Sequence, residues 1–139
     1  MRDPKERLRD MLEAIEYIER YAVQGREAFE RDELIQNWMV RHLQIIGEAA
    51  RALPQDVRDR VSDVPWSKII GMRHVLVHDY FRIDTEIVWD VVERDLPVLK
   101  RAMQALLDEL EAGDEDSTLV HRQPDKVMTL ISPHAWMIL

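Results

Sequence analysis

The chain has 139 residues, a length that fits one domain with a core of its own. Hydrophobic content of 46% beside 33% charged residues fits a soluble, helix-rich domain. No apolar run approaches the roughly 20 residues of a membrane helix. With no cysteine, disulfides and thiolate zinc sites are excluded. A net charge of −8 excludes a global basic field, so any nucleic-acid role needs a local basic patch. The opening "MRDPKERLRDMLEAIEYIER" lacks the apolar centre of a signal peptide, so a cytoplasmic protein is expected.

In chain order, the first helix is expected from about Lys5 to Gln24. Leu8, Met11, Leu12, Ile15, Ile18 and Ala22 recur at three- and four-residue steps and form one apolar stripe. Gly25 in "GREAFERD" breaks that pattern. The second helix is expected from about Asp32 to Leu53. Its inner face is Ile35, Trp38, Met39, His42, Leu43, Ile46, Ala49, Ala50 and Leu53, and its polar side carries Asn37, Arg41, Glu48 and Arg51. Pro54 ends it, because the residue before proline avoids the α region. "PQDVRDRVSDVP" reads as a loop with room for one helical turn.

The third helix, about Trp66 to Asp79, is apolar on most sides, as in a helix buried between neighbours. The fourth starts after Asp84, a good N-cap, with Glu86 in the first turn where the helix dipole favours it. Val88, Val91, Val92, Leu96, Leu99, Met103, Leu106 and Leu110 carry its stripe to about Glu111. Pro97 should kink this helix and Gly113 should stop it. The pattern predicts an all-α, antiparallel four-helix bundle over residues 1–112. Residues 113–139 are a C-terminal tail, a loop or docked segment in which Val127 to Ile131 fits a short strand.

"GMRHVLVHDYF" holds the densest chemistry, with an arginine, two histidines, an aspartate and a tyrosine around Val75-Leu76-Val77. His74 and His78 are four apart and share a helix face, the spacing of a His-Glu-x-x-His zinc site. Position 75 is valine, however, so the glutamate base of that motif is missing, and no metal site is expected. Arg73 and Tyr80 are seven apart and align within about 20° on a regular helix, whereas His78 stands about 140° from Arg73. The set converges if the helix loosens near His78 or if a second copy of the chain completes the site across a two-fold axis. Histidine serves as general acid or base near neutrality, and arginine matches phosphate. That pair suits metal-free cleavage of RNA by attack of the ribose 2′-hydroxyl. The same residues also fit a plain helix end in which Arg73 and His78 pair with Asp79 or Asp84.

Arg73-x-x-x-x-His78-x-Tyr80 resembles the Arg-x4-His-x-Tyr motif of HepT-type toxins, the HEPN-domain members of HEPN/MNT toxin–antitoxin pairs. "RHLQIIGEAARALP" and "VPWSKIIGMRHVLVHDYFRIDTEIVWDVVERDLPVLK" resemble the family's second helix and central region, and the likeness spans most of residues 5–110. The resemblance implies a HEPN-like bundle dimerising through its motif helices. It implies a metal-independent endoribonuclease of a type VII-like toxin–antitoxin pair, without a cofactor, in which Arg73 and His78 are catalytic. It also implies a partner nucleotidyltransferase antitoxin that transfers AMP to Tyr80. The family often has Asn after the motif arginine where this chain has His74. Arg41, Lys68, His74, Arg82 and Arg51 are candidate RNA contacts. The alternative is a non-catalytic nucleotide- or RNA-binding module partnering the nucleotidyltransferase.

Overall fold

The computed structural model describes residues 3–72 and 84–115, with side chains as far as Gly113. Helix α1 spans Pro4–Ala22, α2 Arg26–Arg31, α3 Glu33–Ala52, α4 Gln55–Arg58 and α5 Trp66–Gly71. After residues 73–83 come α6, Thr85–Asp90, and α7, Leu96–Glu115, joined by a π turn at Val91–Asp95. The fold is all-α, and no strand occurs among the described residues.

Local chemistry sets the helix starts. Asp3 caps α1 by accepting the Lys5 N–H at 2.9 Å, and Pro4 takes the first position, where a missing donor costs nothing. Asp32 ends α2 and starts α3: its extended backbone breaks the first helix, and its carboxylate accepts the Leu34 N–H at 2.9 Å. Asp84 caps α6 as the sequence predicts, accepting the Ile87 N–H at 3.1 Å. Between α1 and α2 the chain reverses at Gly25, whose φ of 94° lies in the left-handed region that glycine enters without steric cost.

The α1 and α3 stripes meet as predicted. Leu8, Met11, Ile15 and Ile18 are fully buried against Met39, Leu43, Ile46 and Ala50. Trp38 is half-buried at the edge of this contact and donates its indole N–H to the Tyr17 carbonyl at 2.8 Å. Helix α7 runs antiparallel to α1, a register marked by Lys100–Glu19 at 2.8 Å and Arg9–Glu111 at 3.3 Å. The hydrogen bond that Lys100 donates to Glu19 raises the Lys100 pKa above its ordinary value. Its contribution to stability is therefore complete below the ordinary lysine pKa and is lost as pH rises through the folded value.

Four readings change. Helix α2 was not expected: "REAFER" folds into six residues that bury Phe29. "PQDVRDRVSDVP" holds α4 plus a 3-10 turn at Asp59–Val61, and the carbonyls of Arg58 and Val61 accept the Trp66 indole N–H. Gly113 does not stop α7, which runs on to Glu115. Nothing lies within 4 Å of a Cβ built there, so the site is open and glycine is tolerated in the helix at a modest entropic cost. Pro97, finally, is met by the π turn: the Leu96 N–H bonds to the Val91 carbonyl, five residues back. Proline has no N–H for the Glu93 carbonyl, and its ring would crowd that carbonyl in a regular helix. Widening the preceding turn answers both. The expected strand at Val127 to Ile131 and the last turns of the predicted third helix lie outside the described residues.

Gly25→Ala places a side chain at positive φ. It is expected to lower stability by about 1 kcal/mol, read as a lower urea midpoint at an unchanged slope.

Candidate functional site: the framework around the Arg73–Tyr80 motif

Arg73, His74, His78, Tyr80 and Arg82 lie outside the described residues. What the structure gives is the framework on either side of them. On the N-terminal side, α5 buries Ile69, and Met72 follows it at 1% exposure, so the chain enters the motif from an anchored position. Helix α5 packs on α3. On the C-terminal side, α6 buries Val88 and Trp89 and packs on both α2 and α3. The Trp89 ring lies 5.4 Å from that of Phe29 at 35°, and its indole N–H donates to Glu93 Oε2 at 3.2 Å. Both ends of the motif segment are therefore fixed against α3.

The two described candidates occupy these elements. Arg41 is exposed on α3 and Lys68 half-buried on α5. Their helices pack together. Arg51 and Glu48 are exposed on α3. Arg41, Arg51 and Lys68 form no ion pair among the described residues. Arg9, Arg26, Arg60, Arg94 and Lys100, by contrast, each hold a carboxylate within 4.0 Å. Neutralised cations contribute little to an anion's binding, whereas these three remain available to a phosphate. Arg26 is the most engaged of the paired set. Its hydrogen bond to Glu30, with weaker help from Glu86 and Glu93, holds its pKa above the ordinary value.

Two buried polar residues stand out. His42 is 8% exposed; its Nδ1 lies 2.7 Å from the Trp38 carbonyl and its ring is tilted between Tyr17 and Trp38. It is a core residue on the inner face, as its position in the stripe predicts. Asp95 is fully buried in the π turn and was missed. A signal was present: Asp95 stands three residues after Val92 and four before Leu99, a stripe position held by a carboxylate. Among the described residues no cluster of three or more His, Asp or Glu side chains is arranged to hold a metal.

Comparison with known proteins follows the same frame. The family described as "Ribonuclease HepT-like" matches residues 11–106, which includes α3, α5, α6 and the motif between them. This chain belongs to the HepT-like ribonuclease family. A protein of Caldanaerobacter subterraneus named "Putative RNase TTE0752" is 36% identical over 77% of this chain and 96% of its own length. "Probable ribonuclease HepT" of Thermococcus cleftensis is 37% identical over 76% of this chain and 96% of its own length. "Gamma-glutamylcyclotransferase and putative RNase MJ0434" of Methanocaldococcus jannaschii is 35% identical over 79% of this chain, which spans only 50% of that longer protein. No solved structure matches the chain.

Asp95 is fully buried, so truncating it leaves a cavity and strands whatever polar group it bonds. Asp95→Ala is expected to lower the unfolding free energy by about 3 kcal/mol in urea. Asp95→Asn, which keeps the shape and the acceptor, should cost less.

Proposed function

We propose that this protein is a metal-independent endoribonuclease. The observation that carries the reading is the Arg73-x4-His78-x-Tyr80 motif within a chain of the HepT-like ribonuclease family, between two anchored helices. The relatives' names, which refer to RNase activity, support RNA as the substrate. In the proposed reaction, His78 takes the proton of a ribose 2′-hydroxyl. The 2′-oxygen bonds to the adjacent phosphorus as the bond from phosphorus to the 5′-oxygen breaks, and the departing oxygen is protonated to a 5′-hydroxyl. Arg73 stabilises the extra negative charge on the phosphoryl oxygens while it is greatest. The other product is a 2′,3′-cyclic phosphate, and the chemistry asks for no metal. Arg41, Lys68, His74 and Arg82 are the proposed contacts to the RNA backbone, with Arg51 beside them. Two copies of the chain meeting through the motif helices would line one cleft with two Arg–His sets.

The same motif supplies the proposed control. A nucleotidyltransferase antitoxin transfers AMP from ATP to the Tyr80 hydroxyl, releasing pyrophosphate. The added phosphate brings negative charge next to Arg73 and occupies the place of the substrate phosphate. In a chain of net charge −8, a local loss of positive potential weighs heavily on RNA binding.

Purified protein is expected to cut RNA in the presence of EDTA and to leave 2′,3′-cyclic phosphate ends. His78→Ala should lower the rate by about a hundredfold or more with the far-UV circular dichroism unchanged. Full activity in that variant, or cutting that stops with EDTA and returns with a divalent ion, contradicts the reading. Incubation with ATP and the cognate nucleotidyltransferase should add one adenylate by mass and abolish cutting, and Tyr80→Phe should accept none.

A further inference from the structure

Helix α2 is an element the sequence pattern did not announce, and its contacts are specific. It is six residues long, far too short to persist alone in water. It is tied into the fold at its C-terminal end. The Gln36 amide of α3 donates to the carbonyls of Phe29 at 3.0 Å and Glu30 at 3.2 Å. Phe29, at 0% exposure, then presents its ring to Trp89 of α6.

Helix α6 opens the helical run that continues through the π turn into α7, and it packs on α2. Its cap, Asp84, is the first described residue after the motif segment, four positions beyond Tyr80. We propose that α2 is a positioning brace: Phe29, tethered through Gln36 and packed against Trp89, fixes the start of α6 and with it the point where the motif segment leaves the fold. Phe29 is a positioning residue that acts through α6. The catalytic side of this proposal rests on the ribonuclease reading, since cleavage geometry is lost steeply with small displacements of the reacting groups.

The experiment uses the full chain with Phe29→Ala, Phe29→Leu and Gln36→Ala, measuring RNA cleavage and backbone amide exchange over residues 84–89. The brace requires faster exchange there in Phe29→Ala, with kcat down about tenfold or more and KM within about twofold. Phe29→Leu, which refills the contact, should recover most of both. A purely structural Phe29 lowers the melting temperature and leaves kcat and local exchange at 25 °C unchanged, which overturns the proposal. If Phe29→Ala does not fold, Gln36→Ala decides. This change removes the two hydrogen bonds that tether α2, and faster exchange over residues 84–89 supports the brace while unchanged exchange overturns it. Should the wild-type protein cut no RNA, the ribonuclease reading fails alone, and the exchange measurements still decide whether α2 holds α6.

Discussion

The apolar stripe of α3 is the surface on which everything else rests. Ile35, Met39, Leu43, Ile46 and Ala50 face inward at helical spacing, and α1, α2, α5 and α6 all pack on this one helix. Burying a large aliphatic side chain is worth roughly 1.5–3 kcal/mol, so one such stripe outweighs any of the surface ion pairs around it. The functional consequence is geometric. The helices on either side of the motif segment, α5 and α6, both pack on α3 and take their placement from it. A long amphipathic helix can thereby place chemistry that sits on none of its own residues.

Much of this was legible in the sequence because long helices advertise themselves. Six positions in α1 and, from Ile35 to Leu53, nine along α3 and its cap repeat at the helical period, and nearly all of them are buried. The Asp84 cap was visible too, because capping depends on a single side chain and its next turn. Where the reading failed, the cause was local chemistry too short to show a period. "REAFER" spans fewer than two turns, so Phe29 looks like an isolated aromatic until Trp89 is placed against it. Gly113 is a stop only where the chain needs the left-handed conformation, and nothing there demands it. The candidate site was legible as a motif, Arg73-x4-His78-x-Tyr80, and as its anchors. The relative placement of its side chains is not legible there, because position on a helical wheel does not specify what happens when a helix ends or meets a second copy.

Pro97 and Asp95 show how two breaches of helix rules resolve together. A proline one turn into an otherwise regular helix removes a hydrogen bond and crowds the carbonyl four residues back. Here the ladder absorbs the fault by a bond reaching five residues back, from the Leu96 N–H to the Val91 carbonyl. The stripe from Val88 through Leu107 stays buried across the turn. Asp95 lies fully buried in the same turn. A carboxylate on the apolar stripe therefore reads as a deliberate feature of the turn and not as an error in an amphipathic pattern.

The acidic balance of the chain, which first argued against RNA, takes a different meaning once charges are paired off. Arg9 and Lys100 tie α7 to α1, Arg60 ties the 3-10 turn to α7, and Arg26 and Arg94 answer carboxylates on their own helices. Those cations are committed to the fold and contribute little outward field. Arg41 and Arg51 on α3 and Lys68 on α5 are uncommitted among the described residues, and they lie on two helices that pack together, α5 being the one that leads into the motif. Net charge is a sum over the whole surface, whereas a phosphodiester within a Debye length of about 8 Å senses only the nearest groups. An acidic protein can thus present a short basic approach while its remaining surface repels nucleic acid.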